Sequence, residues 1–237
     1  MIACYDLHRR LPTFDFFNWL CHVKLLGARE ITIDTTGKLL MRKKWPRQET
    51  LNRVDSFLLP GVQLAGLRGR LGTDGDRFNG SHMTRDLWWD AQLRRSDIPR
   101  LRSVHPARSA KYTVTLRDTF HRPERNSDRA VWLAFAQEIG AKVIDDTAKQ
   151  PIGLFERVAW YAGAEMNFGI PNGPLCLLYY TEYPFRVYVD PDVNGVDFKR
   201  QGHADGDQLP WFRDNQRLVW QKPTLEVLLS DFERVAA

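Results

Sequence analysis

Gly169-Ile170-Pro171-Asn172-Gly173-Pro174-Leu175-Cys176-Leu177-Leu178 reads as the end of a strand, a sharp turn and the first turn of an apolar helix. Proline suits a first helical turn because the N–H it lacks would be orphaned there, and a preceding glycine lets the backbone come close to another group. The N–H groups that follow face whatever lies beyond the strand end. In an open α/β sheet that is where ligands bind, and an anionic group such as a pyrophosphate is the natural guest of a helix N-terminus. The alternative is a helix start that only turns the chain back onto its sheet.

Outward from this turn, strand and helix patterns alternate. The spacing predicts strands at 111–117, 141–146, 165–169, 185–189 and 217–220, with helices at 128–139, 152–162, 173–183 and 224–235. Ser127 is placed to cap the first of these helices and Gly140 to end it, while residues 190–215 read as a polar loop. Upstream, a strand at the N-terminus, a helix over 14–26 with Thr13 as cap, and a strand over 29–34 form a unit that builds parallel sheet. A helix is expected from Pro46 to Phe57, a strand or turn at 58–62, a glycine-rich surface loop at 66–80, a helix over 84–95 and a linker over 96–110. The fold class is α/β: two Rossmann-like, doubly wound domains, residues 1–108 and 109–237, with a cleft between them.

The chain has 237 residues, 43% of them apolar, with 8 Trp and 13 Phe, which excludes a disordered protein. No apolar run approaches the roughly 20 residues that cross a bilayer. Met1-Ile2-Ala3-Cys4-Tyr5-Asp6 lacks the basic-then-apolar pattern of a signal peptide, so a cytoplasmic location is expected. Cys4, Cys21 and Cys176 are far apart and form no Cys-x-x-Cys pair, which argues for reduced core residues rather than a disulfide scaffold or zinc site. The formal charge of +5 favours anionic partners, nucleotide sugars, phosphorylated metabolites and nucleic acids among them.

Arg117 ends a predicted strand, and Arg122, Arg125 and Asn126 occupy the loop after it. In a parallel sheet these groups share an edge with Asn172, Gly173 and Pro174, so guanidinium forks and helix N–H groups together make a diphosphate clamp. Residues 111–237, through Thr113-Val114-Thr115-Leu116-Arg117, the loop from Arg122 to Asn126 and Asn167 to Leu175, resemble the donor half of GT-B glycosyltransferases. Gly173 and Pro174 match the Gly-Pro helix start of heptosyltransferases, and Arg117 matches the strand-end arginine of fucosyltransferase-like enzymes. Thr115 stands where the latter group has a histidine, and Leu175 where the former has a polar residue.

The resemblance implies a nucleotide-sugar donor bound without metal or other cofactor, because arginines and a helix dipole neutralise the leaving diphosphate. Transfer to a hydroxyl acceptor needs a base, and Asp6 and His8, following a predicted strand, are placed to supply it, with Asp34 similarly positioned and His82 and Asp86 as further candidates. Gln208, in the loop from Gly206 to Phe212, offers an amide to a nucleobase or sugar; Trp211 and Phe212 beside it read as packing residues. Glu156 and Arg157 read as a solvated pair. The expected activity is metal-independent glycosyl transfer. Its rivals are a non-catalytic nucleotide-sugar-binding module of the same fold and a basic nucleic-acid-binding protein using Arg42 to Lys44, Arg68, Arg70, Arg94 and Arg95; the scatter of those residues over helices and loops speaks against nucleic acid.

Overall fold

Short runs that alternate or are apolar throughout become parallel strands, and amphipathic runs between them become the crossovers. The computed structural model describes residues 1–37, 39, 47–78, 98–119, 122–145, 152–200 and 202–236. The chain divides into two compact units, residues 1–105 with 153–155, and residues 106–152 with 156–237. Both are mixed α/β and Rossmann-like. Among the described residues no helix is long and apolar enough to cross a membrane.

In the first unit, strands β1 (Ile2–Asp6), β2 (Glu30–Asp34) and β3 (Arg68–Leu71) form a parallel sheet in that order. Helix α1 (Asp15–Leu25) joins β1 to β2 and buries Phe16, Phe17, Trp19, Leu20 and Val23. Tyr5 on β1 meets Phe16 and Trp19 edge-on, with ring centroids 4.8 and 4.9 Å apart. Thr13 does not cap α1 through its side chain; its hydroxyl bonds Asp15 at 3.0 Å. Between β2 and β3 run α2 (Arg47–Arg53), a π-helical segment (Val54–Leu58) and α3 (Leu59–Leu64).

The strand or turn expected at 58–62 is therefore helical. Pro60 fits because it lies in the first turn of α3, where its missing N–H costs nothing. The stretch expected as a loop from 66 contains β3, concealed by its exposed Arg-Gly-Arg sequence. A Cβ at Gly69 would lie 3.0 Å from Leu59 and 3.2 Å from Val62, so glycine there lets α3 lie close to the strand. Residues 72–76 then carry the chain to the opposite edge of β1, where Asp76 pairs with Ala3. The predicted helix over 84–95, the run Arg42-Lys43-Lys44, His82 and Asp86 lie outside the described residues.

The second unit is built on β4 (Tyr112–Leu116), β5 (Lys142–Asp145), β6 (Met166–Gly169), β7 (Phe185–Tyr188) and β8 (Gln216–Val219), all parallel, in the order β5-β4-β6-β7-β8. Helices α4 (Arg129–Glu138), α5 (Leu154–Gly163), α6 (Gly173–Cys176), α7 (Gly195–Arg200) and α8 (Leu225–Ala236) connect or follow the strands. On one face Tyr112, Val114, Leu116 and Phe168 pack with Trp132 and Phe135 of α4 and Leu228 of α8. On the other, a buried polar ladder joins Thr113 to Asn167 at 2.6 Å and Thr115 to Tyr161 at 2.9 Å. Hydroxyl and amide partners satisfy these groups within the core.

Three local expectations change here. Asp128, not Ser127, caps α4, accepting from the Val131 N–H at 3.2 Å. The helix expected over 173–183 is one α-turn followed by a 3₁₀ turn, Leu177–Tyr180. Arg157 is buried at 2% exposure and donates to the Tyr161 hydroxyl, whereas Glu156 pairs with Arg108 at 3.0 Å, so the two are not a solvated pair.

Candidate functional site

The chain leaves β4 for β5 on one side and returns to β6 on the other, so the strand order reverses between β4 and β6. At such a point the connections diverge and a crevice opens beyond the carboxyl ends of the strands. Thr115 pairs with Gly169, which puts Arg117 and residues 170–172 just past those ends. Glycine is needed at 169 because a Cβ would press on Leu175 and sit 2.8 Å from the Thr115 carbonyl.

The loop after β4 closes on itself. Ser127 accepts from the Arg117 N–H at 2.9 Å and returns its own N–H to the Arg117 carbonyl at 2.9 Å. The Arg117 guanidinium donates inward, to the Arg122 carbonyl at 3.0 Å and to Asn126 Oδ1. Asn126 also accepts from the Thr119 N–H at 3.1 Å and donates to the Thr119 carbonyl at 3.1 Å. Burial, then the charges of Arg125 and Arg122, pull the Arg117 guanidinium below its ordinary value, while Glu124 and Asp118 oppose them. Arg117 and Asn126 are thus bound up in shaping this loop.

Two other arginines carry the charge outward. Arg122 donates from Nη1 to both Asp197 oxygens, at 3.0 and 2.9 Å, and Arg125 Nη1 lies 2.7 Å from Asp197 Oδ2. Arg125 Nε donates to Asn194 at 3.1 Å, and Arg200 approaches Asp197 at 3.7 Å. The bonds from Asp197 and Glu124 raise the Arg122 guanidinium above its ordinary value. Asp197 and Asn194 come from α7 and its start, inside the stretch read as a polar loop. Val193 and Val196, three residues apart, were the available signal for that helix.

Beyond β6, Asn172 caps α6, its Oδ1 accepting from the Leu175 N–H at 2.8 Å and its carbonyl from the Cys176 N–H at 3.0 Å. Since Pro174 has no N–H and the Leu175 and Cys176 amides are already bonded, this one-turn helix has little to offer an anion. Gly173 and Pro174 therefore set the turn, and the guanidinia supply the positive charge. The Asn172 Nδ2 group is buried with no hydrogen-bond partner among the described residues. Gln208 lies elsewhere: its amide bonds the Leu218 carbonyl and N–H at 2.9 and 2.8 Å, closing the free edge of β8, three strands from β4. Trp211 and Phe212 are buried, as packing residues should be.

In the first unit, Asp6 and Asp34 end adjacent strands in direct register. Arg77 bridges them, Nε lying 3.4 Å from Asp6 Oδ2 and Nη2 2.8 Å from Asp34 Oδ2. Burial pushes the Asp34 carboxyl up, but hydrogen bonds from the Thr36 hydroxyl and N–H, with Arg77 and His8, outweigh it and hold the carboxyl below the usual range. His8 Nε2 is 3.9 Å from Asp34 Oδ1, and the His8 N–H bonds Asp6 at 2.8 Å. Asp6, His8 and Asp34, expected together at the strand ends, each bring an oxygen or nitrogen within 4.8 Å of the others, a spacing a divalent cation could bridge. Arg77, which joins two of the three, sat in the glycine-rich stretch without a signal of its own.

No protein-family model, curated protein or solved structure matches the chain.

Proposed function

We propose that the second unit binds a nucleotide-diphosphate sugar at the crevice between β4 and β6, and that the chain transfers the sugar to a hydroxyl acceptor. The observation that carries the binding step is the set of arginines, Arg117, Arg122 and Arg125, on the loop that leaves β4 at the reversal of strand order. Guanidinia bind phosphoryl oxygens two at a time and lose less in hydration than ammonium groups, so such a loop suits a diphosphate better than a neutral ligand. As the leaving group departs, the same charges stabilise it. The base that takes the acceptor proton is His8 or Asp6.

A thermal-shift screen of nucleoside diphosphates and nucleotide sugars tests the binding step. A ligand at 100 times its Kd stabilises the native state by about 2.7 kcal/mol, a shift of several degrees. Arg125→Ala should weaken binding by about 10–100-fold, the worth of a charge-assisted hydrogen bond of about 1.5–3 kcal/mol. Silence from every nucleotide at millimolar concentration, with the protein folded, would overturn the reading.

A further inference from the structure

We infer that the Asp197 carboxylate marks the seat of a phosphoryl group, which binds between Arg122 and Arg125 by displacing Asp197. This rests on the reading of the β4–β6 crevice as a phosphate-binding site and names the two guanidinia that receive the group.

The geometry is that of an occupied anion receptor. Asp197 Oδ2 lies 2.9 Å from Arg122 and 2.7 Å from Arg125, its Oδ1 takes a further bond from Arg122, and Arg200 stands 3.7 Å away. One negative charge thus sits among three positive ones, with Arg117 adding to the field felt at Arg125. A phosphoryl group brings up to two charges and three acceptor oxygens, and so satisfies two guanidinia more fully than one carboxylate does.

Arg122 has a second mark of specialisation. Its φ of 56° and ψ of 63° put a non-glycine residue in the strained left-handed region. The surrounding loop enforces this, since the Arg122 carbonyl accepts from both Arg117 Nη1 and the Arg125 N–H, each at 3.0 Å. The conformation directs the Arg122 side chain to the carboxylate that Arg125 also holds. Were the position needed only for its turn, glycine would serve without strain.

Asp197 is 23% exposed in its side chain and Arg122 34%, so the pair is partly solvated and its rupture is not prohibitive. The neighbouring Glu124 pairs with Arg122 at 3.2 Å and is 57% exposed, which makes it a control for plain electrostatic effects.

The experiment titrates inorganic pyrophosphate into the full chain and its variants by calorimetry. Displacement predicts that Asp197→Asn binds about tenfold tighter than wild type, whereas Glu124→Gln gains less than about threefold, because only Asp197 competes for the seat itself. Arg122→Gly, which keeps the left-handed turn at no steric cost, should unfold at or above the wild-type temperature yet bind about tenfold or more weakly. Equal gains from Asp197→Asn and Glu124→Gln would overturn displacement while leaving the site in place. Undiminished affinity in Arg122→Gly would remove Arg122 from the receptor. Binding by neither wild type nor Asp197→Asn would end both this inference and the donor-site reading beneath it.

Discussion

At the ends of β1 and β2 two carboxylates, Asp6 and Asp34, share one guanidinium, that of Arg77; beyond β4 two guanidinia, Arg122 and Arg125, share one carboxylate, that of Asp197. Both clusters stand where parallel strands end, and in each a like-charged pair is joined by one shared opposite group. They differ in sign and in burial. The Asp34 and Asp6 side chains are 3% and 10% exposed, against 34% and 19% for Arg122 and Arg125. A buried like-charged pair depends on its neutralising partner, whereas a half-exposed pair can fall back on water. The first cluster is therefore suited to hold a cation, and the second to exchange its internal anion for an external one.

Removing the minority charge from each cluster tests this asymmetry most strongly. Arg77→Ala leaves two buried carboxylates side by side and should destabilise the protein by about 1–3 kcal/mol at neutral pH, with most of the loss recovered by adding Asp34→Asn. Asp197→Asn should change stability by less than about 1 kcal/mol, because its arginines are partly exposed and Arg122 keeps Glu124 as a partner. Urea unfolding of the three proteins measures both, and equal costs at the two sites would break the comparison.

Acid titration opens two windows, both in the first unit. Burial, reinforced by the charge of Arg10, pushes His22 down to about 4. The unfolded chain then binds the proton more readily, so stability falls as pH drops from the usual histidine value of about 6.5 towards 4. His22→Phe should flatten that limb. Asp34, held below the usual carboxylate range, contributes stability above its unfolded pKa that is lost as pH falls through its lower folded value. Asp34→Asn should blunt this second limb and leave the first unchanged. Stability curves against pH for the two variants separate them.

The smallest effect is local. Cys4 and Cys21 are buried, and burial pushes the Cys21 thiol up to about 12, while Cys176 is partly exposed. Alkylation of the native protein followed by peptide mapping should therefore label Cys176 first. Cys176 lies beside Tyr179, whose hydroxyl feels the charge of Arg125, so pyrophosphate bound at Arg125 should slow the labelling by a few-fold. Labelling of Cys4 at the same rate would contradict the tight packing of the first unit.

Much of the parallel framework was legible because its signals are local. The β-branched and apolar runs at 112–116 and 185–188, the aromatic stripe of α1 and the glycine stop at Gly140 each announce an element within a few residues. β3 was missed because Arg68, Gly69 and Arg70 have no strand-like burial pattern, and its pairing with β2 is a distant contact. The helical character of 58–62 was missed because proline reads as a breaker unless its place in the first turn is known.

At the candidate sites the same division holds. The sequence by itself determined that Asp6 and Asp34 lie at strand ends and that Arg117 and Asn172 follow strands, since alternation and turn chemistry are written in neighbouring residues. Only the tertiary structure decided that Arg117 and Asn126 shape the loop, that Arg122 and Arg125 meet Asp197, and that Gln208 closes a sheet edge instead. Strand order and register set those meetings, and they depend on packing between segments up to 75 residues apart. Side-chain partners at that range are chosen by the fold as a whole, because local periodicity carries no information about which distant charge a guanidinium will reach.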